Sequence, residues 1–295
     1  MGATWRELRE VCQRPVRDGN DVAGLLFGDH ASLVFTKVFV DLRLSPNYAS
    51  VGFLICGLIG AVLQVTTSAW ALTGAILLVL YYVLDCVDGE VARWQRVVNV
   101  HWGYYDYLFH MLIKPLAFFG IGLGTFGEIG SVWLLCAAFA AAIATLWRKI
   151  LIEIPGILFL KDVLRKSAQA ASTAGPAANS LPTGTQDAGL ARPSEPFQLR
   201  PDLITLRAVL TNFDISLLVL SLAAALDLFI APFELPLLGP VSCRALWLLY
   251  YGTVLPLDFF DYLITYLRRG HFSTEMTRLL GLAHHFRAEE YGRRR

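Results

Sequence analysis

The stretch that decides the fold spans residues 81–114, YYVLDCVDGEVARWQRVVNVHWGYYDYLFHMLIK, with long apolar runs on both sides. Ionisable groups at membrane depth cost at least about 2.5–3.5 kcal/mol each, so they are kept mainly where they have a function. Acids and an imidazole on two successive apolar segments therefore predict a functional site. The candidate residues are Asp85, Asp88, Asp106 and His110.

The spacing of these residues predicts two polar helix faces. Asp85 and Asp88 are three residues apart, so they share a face of one helix. Asp106, His110 and Lys114 are four apart and share a face of the next helix. Two such faces turned towards each other would enclose a slot with polar walls.

Small residues beside the acids favour a close approach of the two helices. Gly89 has no side chain next to Asp88, and Ala92 has only a methyl group in the following helix turn. Small residues let transmembrane helices pack with their backbones close together. The slot is therefore predicted to lie at this level of the helices.

The remainder of the chain is apolar enough for a membrane protein. Of its 295 residues, 55% are hydrophobic, against roughly 45–50% in soluble proteins. The mean hydropathy is +0.52. We predict an all-α, polytopic fold with six transmembrane helices, each near the roughly 20 residues that cross a bilayer. They are placed at about 48–66, 69–92, 102–123, 130–149, 212–231 and 243–267.

The N-terminal region is predicted to lie at the membrane surface. One helical stripe is formed by Trp5, Leu8, Val11 and Cys12, which indicates an interfacial amphipathic helix. The alternative is a flexible tail. Residues 31–44 are too short and too charged to span and predict a second interfacial helix. Pro46 is expected to open the first span.

The chain organisation follows from composition. Residues 167–200 are rich in Ala, Ser, Pro and Gly and lack a hydrophobic period, which predicts a flexible linker. We expect a cytosolic N-terminal region, a membrane domain that contains this cytosolic linker, and a cytosolic tail. The N-terminal region is residues 1–47, the membrane domain is residues 48–267, and the tail is residues 268–295.

The distribution of charge predicts the orientation. Lys and Arg are concentrated at both ends of the chain and between residues 148 and 207, whereas the loops near 67–68, 124–129 and 232–242 carry none. The positive-inside rule places both termini and the acidic motif on the cytosolic side. The net charge of +1 gives no indication of a nucleic-acid partner. The five cysteines are scattered and do not form a metal or disulfide framework.

The acids and the imidazole also predict a divalent-metal site. Hard oxygen ligands suit Mg²⁺, Mn²⁺ or Ca²⁺, and an imidazole shifts the preference towards Mn²⁺. Without a cation, carboxylates this close would repel one another. The alternative is a buried network in which the acids pair with Arg93, Arg96 and Lys114, but that alternative leaves Gly89 and Ala92 unexplained.

The motif resembles that of the CDP-alcohol phosphotransferases, D-x-x-D-G-x-x-A-R followed by G-x-x-x-D-x-x-x-D. The first half matches residue for residue. The second half departs twice, because two residues instead of three separate Gly103 from Asp106, and because His110 stands where the family has its fourth aspartate. The matching residues of the first half are Asp85, Asp88, Gly89, Ala92 and Arg93.

The resemblance implies a membrane phosphotransferase of lipid biosynthesis that moves a phosphoalcohol group, most readily phosphatidyl, from a CDP-linked donor to an alcohol hydroxyl and releases CMP. Mg²⁺ or Mn²⁺ would be the cofactor, held by Asp85, Asp88, Asp106 and His110. The slot for the cytidine diphosphate would be formed by Asp85, Gly89, Ala92 and Arg93. Bacterial relatives favour CDP-diacylglycerol with a small acceptor over a CDP-linked head group with a lipid acceptor, and place the protein in the inner membrane.

His110 and Asp106 are the expected catalytic residues. A histidine can deprotonate the acceptor hydroxyl, since its ordinary pKa of about 6.5 suits a base near neutral pH. The alternative is a degenerate homologue that binds nucleotide without transferring. Four basic residues could bind an acidic acceptor: Lys114, Arg148, Lys149 and Arg207. The alternative is that Lys114 only neutralises the carboxylates and that the other three only anchor the helices at the cytosolic membrane surface.

A transporter with intramembrane charges is a further alternative. That class is built from broken helices and internal repeats, which this sequence does not show. Membrane lipid is an expected partner, and the Gly- and Ala-rich helix faces would permit a homodimer.

Overall fold

A computed structural model describes residues 3–16, 23–97, 100–173, 203–235 and 239–268; the side chains of 100–102, 154–155, 158–173 and 203–205 are outside this description. Two compact units are present, Met1–Leu146 with Ser194–Asp258 and Trp147–Pro193 with Phe259–Arg295. The side-chain contacts discussed below lie within the first. The helices are α1 (Trp5–Leu8), α2 (Asp29–Asp41), α3 (Pro46–Leu63), α4 (Ser68–Gln95), α5 (Val100–Ile129), α6 (Val132–Thr173), α7 (Leu203–Thr211), α8 (Phe213–Leu226) and α9 (Cys243–Arg268).

The predicted all-α membrane fold is confirmed. In the described ranges, four helices are long and apolar enough to cross a bilayer: Pro46–Leu63, Ser68–Gln95, Gly103–Ile129 and Val132–Glu153. The fifth predicted span corresponds to α8, which has 14 residues. The sixth corresponds to α9, which has 26 residues and falls outside the four. The count of six spans therefore stays a prediction.

Two short π-helical segments and one hairpin complete the described part. The π-helical segments are Arg9–Gln13, which continues α1, and Gly24–Gly28, which precedes α2. Strands β1 (Phe233–Leu235) and β2 (Gly239–Val241) pair antiparallel between α8 and α9, with Phe233 opposite Val241.

The predicted helix boundaries differ most in α6 and least in α9, which spans Cys243–Arg268 against a predicted 243–267. Pro46 opens α3 as predicted, and the Ser45 side chain accepts a hydrogen bond from the Asn47 backbone N–H at 3.4 Å. Helix α6 continues to Thr173, so it includes the first residues of the predicted linker. The rest of the linker, and the tail after Arg268, lie outside the described residues.

The N-terminal helix packs on the protein. Leu8 and Cys12 are fully buried in a cluster with Leu33 of α2, whereas Trp5 and Val11 remain exposed. Thr4 and Glu7 form a capping box that starts α1. The predicted amphipathic helix is therefore present, and half of its apolar stripe is covered by protein.

Helix α3 packs against both α4 and α5 through glycine contacts. A Cβ at Gly60 would lie 2.9 Å from the carbonyl oxygen of Gly74 in α4. A Cβ at Gly120 of α5 would lie 2.1 Å from the carbonyl oxygen of Ala61. Real Cβ atoms do not approach so closely, so only glycine permits these backbones to meet. Helix α3 thereby holds α4 and α5, the helices that carry the acidic motif.

Replacing Gly120 with alanine is expected to destabilise the bundle, because the new methyl group must push α5 away from α3. Overpacking of this kind costs about 1–3 kcal/mol. The control is Gly127→Ala in the same helix, where a Cβ meets nothing within 4 Å. Thermal unfolding of the purified variants in detergent measures the difference. Equal melting temperatures for the two variants would contradict this packing.

A buried ionic cluster joins the ends of the helices far from the motif. Arg244 is 1% exposed and pairs with Glu128 of α5. Its Nε lies 3.5 Å from Asp227 Oδ2, and its Nη1 donates to the Thr66 carbonyl at 3.1 Å. Asp227 also accepts the backbone N–H groups of Cys243 and Arg244, which caps the start of α9. The buried cation is tolerated because its charge is compensated on several sides.

Candidate metal and nucleotide site

Helices α4 and α5 bring three of the four predicted metal-binding side chains together. One donor atom each of Asp85, Asp106 and His110 lies within 4.8 Å of the others. His110 Nε2 is 2.9 Å from Asp85 Oδ1 and 3.5 Å from Asp106 Oδ1. Two carboxylates and one imidazole form a donor set that fits Mg²⁺ or Mn²⁺. These residues could therefore hold a divalent metal.

The His110 ring is fixed by two aromatic residues. Phe53 of α3 stacks on it with ring centroids 5.7 Å apart and an interplanar angle of 16°. The Tyr81 hydroxyl is hydrogen-bonded to His110 Nδ1. Phe53 and Tyr81 are both fully buried. Because Nδ1 faces Tyr81, Nε2 is the nitrogen that faces the two carboxylates.

Asp88, the fourth predicted ligand, lines an adjacent cavity. Its Oδ2 accepts a hydrogen bond from Ser50 Oγ of α3 at 2.8 Å, and Asp88 is not one of the three clustered residues. The cavity has a volume of about 140 Å³. It is lined by Pro46, Asn47, Ser50, Asp88, Gly89, Ala92, Val97, Gly103 and Asp106. Asp106 therefore belongs to both the metal-binding group and the cavity wall.

Arg93 lies beside Gly89. A Cβ at Gly89 would be 3.2 Å from Arg93 Nη1. The Nε of Arg93 donates to the carbonyl oxygen of Cys12 in the N-terminal region at 2.5 Å. Ala92 lines the cavity as well. Of the residues of the predicted nucleotide slot, Gly89 and Ala92 line the cavity, whereas Asp85 and Arg93 are not among its lining residues.

Lys114 is paired with an acid that the sequence prediction missed. Its Nζ lies 3.3 Å from Asp214 Oδ2 of α8 and 5.2 Å from the centre of the Phe213 ring. Asp214 is 9% exposed. The signal in the sequence is an acid within the apolar run of the fifth predicted span. Lys114 therefore compensates the charge of Asp214.

Arg207 of α7 is also paired with an acid. Its Nη2 lies 2.6 Å from Asp258 Oδ1, and Asp258 is 6% exposed. One of the cations considered for an acidic acceptor is therefore already bonded within the protein.

Three further polar residues at the site were missed by the sequence prediction. Tyr81 precedes Asp85 by four residues, so the helical period alone could have placed it on the same face. Glu90 lies within the motif and is 2% exposed. The sequence around it does not indicate that this carboxylate is buried. Ser50 is 38 residues from Asp88, and only the crossing of α3 and α4 brings the two together.

The fold and the site define an integral membrane protein with a carboxylate–imidazole group between two of its spans. A family model described as CDP-alcohol phosphatidyltransferase matches residues 43–186, which include α3, α4, α5 and the described part of α6. Over that region the chain is similar to this family. The family implies a phosphotransferase with a CDP-alcohol donor, an alcohol acceptor and a divalent metal. No curated protein matches the chain.

Proposed function

We propose that the protein transfers a phosphatidyl group from CDP-diacylglycerol to the hydroxyl of a small alcohol and releases CMP. The observation that carries this proposal is the group formed by Asp85, Asp106 and His110, whose donor atoms lie within 4.8 Å of one another. This group adjoins the cavity at the motif. The family supports a membrane phosphotransferase in lipid biosynthesis.

The volume of the cavity indicates that it holds only one part of the donor molecule. Whole small-molecule sites have volumes of roughly 300–1,000 Å³, whereas this cavity has about 140 Å³. We infer that it takes the diphosphate, next to Gly89 and the Arg93 guanidinium. The cytidine and the two acyl chains would extend outside it, towards the cytosol and the lipid.

The metal would be held by Asp85, Asp106 and His110, with Asp88 as the further predicted ligand. When bound, a divalent ion supplies positive charge that stabilises the diphosphate and the leaving CMP. The carboxylates of this group remain ionised beside a cation, where they would otherwise repel one another.

His110 is proposed to accept the proton of the attacking hydroxyl. When Tyr81 accepts a hydrogen bond from Nδ1–H, the lone pair of the ring is at Nε2. The acceptor oxygen forms a bond to the phosphorus that carries the diacylglycerol, its proton passes to Nε2, and the bond between this phosphorus and the bridging oxygen of CMP breaks. Nε2 cannot bind a metal and accept this proton at the same time, so during transfer the metal would be held by the carboxylates of Asp85, Asp88 and Asp106.

The paired cations favour an acceptor without a phosphate group. Lys114 is bonded to Asp214 and Arg207 to Asp258, so each charge is already compensated. An uncharged or zwitterionic alcohol would need no further cation.

The test is release of CMP from CDP-diacylglycerol by the full chain in detergent micelles. We expect release with Mg²⁺ or Mn²⁺, none with EDTA, and faster release with uncharged or zwitterionic alcohols than with phosphorylated ones. A CDP-linked head group with diacylglycerol serves as the alternative donor pair. Binding of CDP without CMP release under any condition would contradict catalysis and support a degenerate nucleotide-binding homologue.

A further inference from the structure

The N-terminal segment, which we define as residues 3–41, contacts the motif although it precedes the region matched by the family, residues 43–186. The contact is made by Glu90, which directly follows Gly89 of the motif. Glu90 is 2% exposed and lies on α4, between the aspartates and Arg93. A buried carboxylate is costly unless its oxygens are hydrogen-bonded.

Three side chains of the N-terminal segment donate hydrogen bonds to Glu90. Gln13 Nε2 donates to Oε1 at 2.8 Å, and Ser32 Oγ donates to the same oxygen at 2.7 Å. The hydroxyl of Thr36 donates to Oε2. Gln13 Nε2 also donates to the Asp29 carbonyl at 2.5 Å. One carboxylate thus joins the helical segment that contains Gln13, the start of α2 and the motif helix.

The residue next to Gln13 contacts the motif arginine. The Cys12 carbonyl accepts the hydrogen bond from Arg93 Nε at 2.5 Å. This bond uses Nε and leaves the Nη atoms beside Gly89, which itself lines the cavity. The position of the Cys12 carbonyl therefore decides where the guanidinium lies.

We propose that Glu90 is a positioning residue for the donor: it holds Gln13, which fixes the Cys12 carbonyl, which in turn keeps the Arg93 guanidinium beside Gly89. The part of the N-terminal segment that contains Cys12 and Gln13 then belongs to the donor site and is more than a surface anchor. This inference rests on the proposed function, because it takes the cavity at Gly89 as the place of the diphosphate.

Kinetics of Glu90 variants test the positioning role. In Glu90→Ala the KM for CDP-diacylglycerol should rise by roughly tenfold or more, while the KM for the alcohol stays unchanged. Glu90→Gln should remain near the parent, because its Oε1 can still accept from Gln13 and Ser32 and its amide can donate to the Thr36 hydroxyl. Gln13→Ala should shift the donor KM in the same direction without removing the carboxylate.

The matched control is Arg14→Ala, which removes an exposed ion pair with Glu10 from the same segment and should leave both KM values unchanged. A Glu90→Ala variant with a lower kcat and an unchanged donor KM would overturn the proposal, since a general loss of folded protein gives that result. Equal impairment of Glu90→Gln and Glu90→Ala would also overturn it, because charge would then matter in place of the hydrogen bonds.

Alkylation of Cys12 provides a measurement that does not depend on activity. Cys12 is fully buried, and burial, followed by the nearby Glu90 carboxylate, raises the pKa of its thiol to about 11. N-ethylmaleimide near neutral pH should therefore modify it slowly in the parent and in Glu90→Gln, and faster in Glu90→Ala. Peptide mass spectrometry separates Cys12 from the other cysteines. The Gln variant controls for the loss of the negative charge.

The two experiments separate the two hypotheses. If the parent releases no CMP from any donor, the proposed function fails. If Cys12 is alkylated equally slowly in Glu90→Ala and in the parent, Glu90 does not hold the segment and the positioning role fails.

Discussion

Replacing His110 with alanine is expected to lower the rate of transfer by about 10²–10⁴-fold, the usual contribution of a general acid–base group. The variant removes the ring nitrogen that faces both Asp85 and Asp106, at 2.9 and 3.5 Å. It also leaves Tyr81 without its hydrogen-bond partner at the site. Measuring CMP release at saturating donor gives the loss in kcat.

His110→Asp should retain part of the activity. A carboxylate at this position can accept a proton and bind a cation, as the aspartate of the family motif is expected to do. It is shorter than histidine and cannot reproduce the stacking on Phe53, so the activity should fall between the parent and the alanine variant. His30→Ala is the matched control, since His30 lies in the N-terminal region and lines a different cavity.

Two measurements keep this prediction decisive. Thermal unfolding shows whether each variant is folded, and binding of CDP shows whether the nucleotide site is intact. If folded His110→Ala and His110→Asp both transfer at the rate of the parent, His110 takes no part in catalysis. If His110→Asp transfers faster than the parent, the histidine makes the site less active than an aspartate at this position would.

The part of the site predicted from the sequence is the part set by helical period. Asp106 and His110 are four residues apart on one helix, and such spacing fixes a common face wherever the helix lies. The meeting of His110 with Asp85 across two helices was also expected, because both lie in apolar segments where polar side chains avoid lipid. The contacts of Asp88 with Ser50 and of Lys114 with Asp214 depend on how separate helices cross. That crossing is set by close backbone contacts such as Gly60 with Gly74.

The N-terminal segment shows a different limit of sequence reasoning. The stripe formed by Trp5, Leu8, Val11 and Cys12 predicts an apolar helix face, and protein or lipid can cover such a face equally well. In the structure, Leu33 packs against Leu8 and Cys12. The signal that favoured protein was polar: Gln13 continues the helix with an amide, which needs a partner once it is buried.

The fifth and sixth spans show how composition and length can disagree. The run 212–231 is mostly apolar but contains Asp214 and Asp227. Helix α8 ends at Leu226, and the carboxylate of the next residue, Asp227, caps the start of α9. Helix α9 is long enough to span, but Arg244, Asp258, Asp261 and Arg268 reduce its hydropathy. Whether α8 and α9 cross the membrane therefore stays a prediction.

Replacing Asp85 with asparagine is expected to have the largest effect on metal binding. The substitution keeps the size and shape of the side chain. It replaces one of the two carboxylates in the group with Asp106 and His110 by an uncharged amide. The amide NH2 of the asparagine can donate to the lone pair of His110 Nε2, so the local packing should survive. The loss of a hard anionic ligand should lower Mn²⁺ affinity by at least about 10–100-fold, the range seen when even outer partners of a metal are changed.

Transfer should fall with metal affinity, and by about 10²–10³-fold even at saturating Mn²⁺, as happens when one electrostatic group of an active site is removed. Electron paramagnetic resonance of free Mn²⁺ measures binding directly, and CMP release measured against Mn²⁺ concentration gives the activity. The two readouts separate weak binding from poor catalysis with the metal bound.

Asp41→Asn is the matched control for this prediction. Asp41 ends α2 and pairs with Lys37 at 2.8 Å on an exposed part of the protein, outside the three clustered donors. The control should bind Mn²⁺ and transfer like the parent. If folded Asp85→Asn binds Mn²⁺ as tightly as Asp41→Asn does, the clustered side chains are not a metal site. The closeness of Asp85 to His110 would then be explained by their ion pair alone, and the proposed transfer would have lost its main structural support.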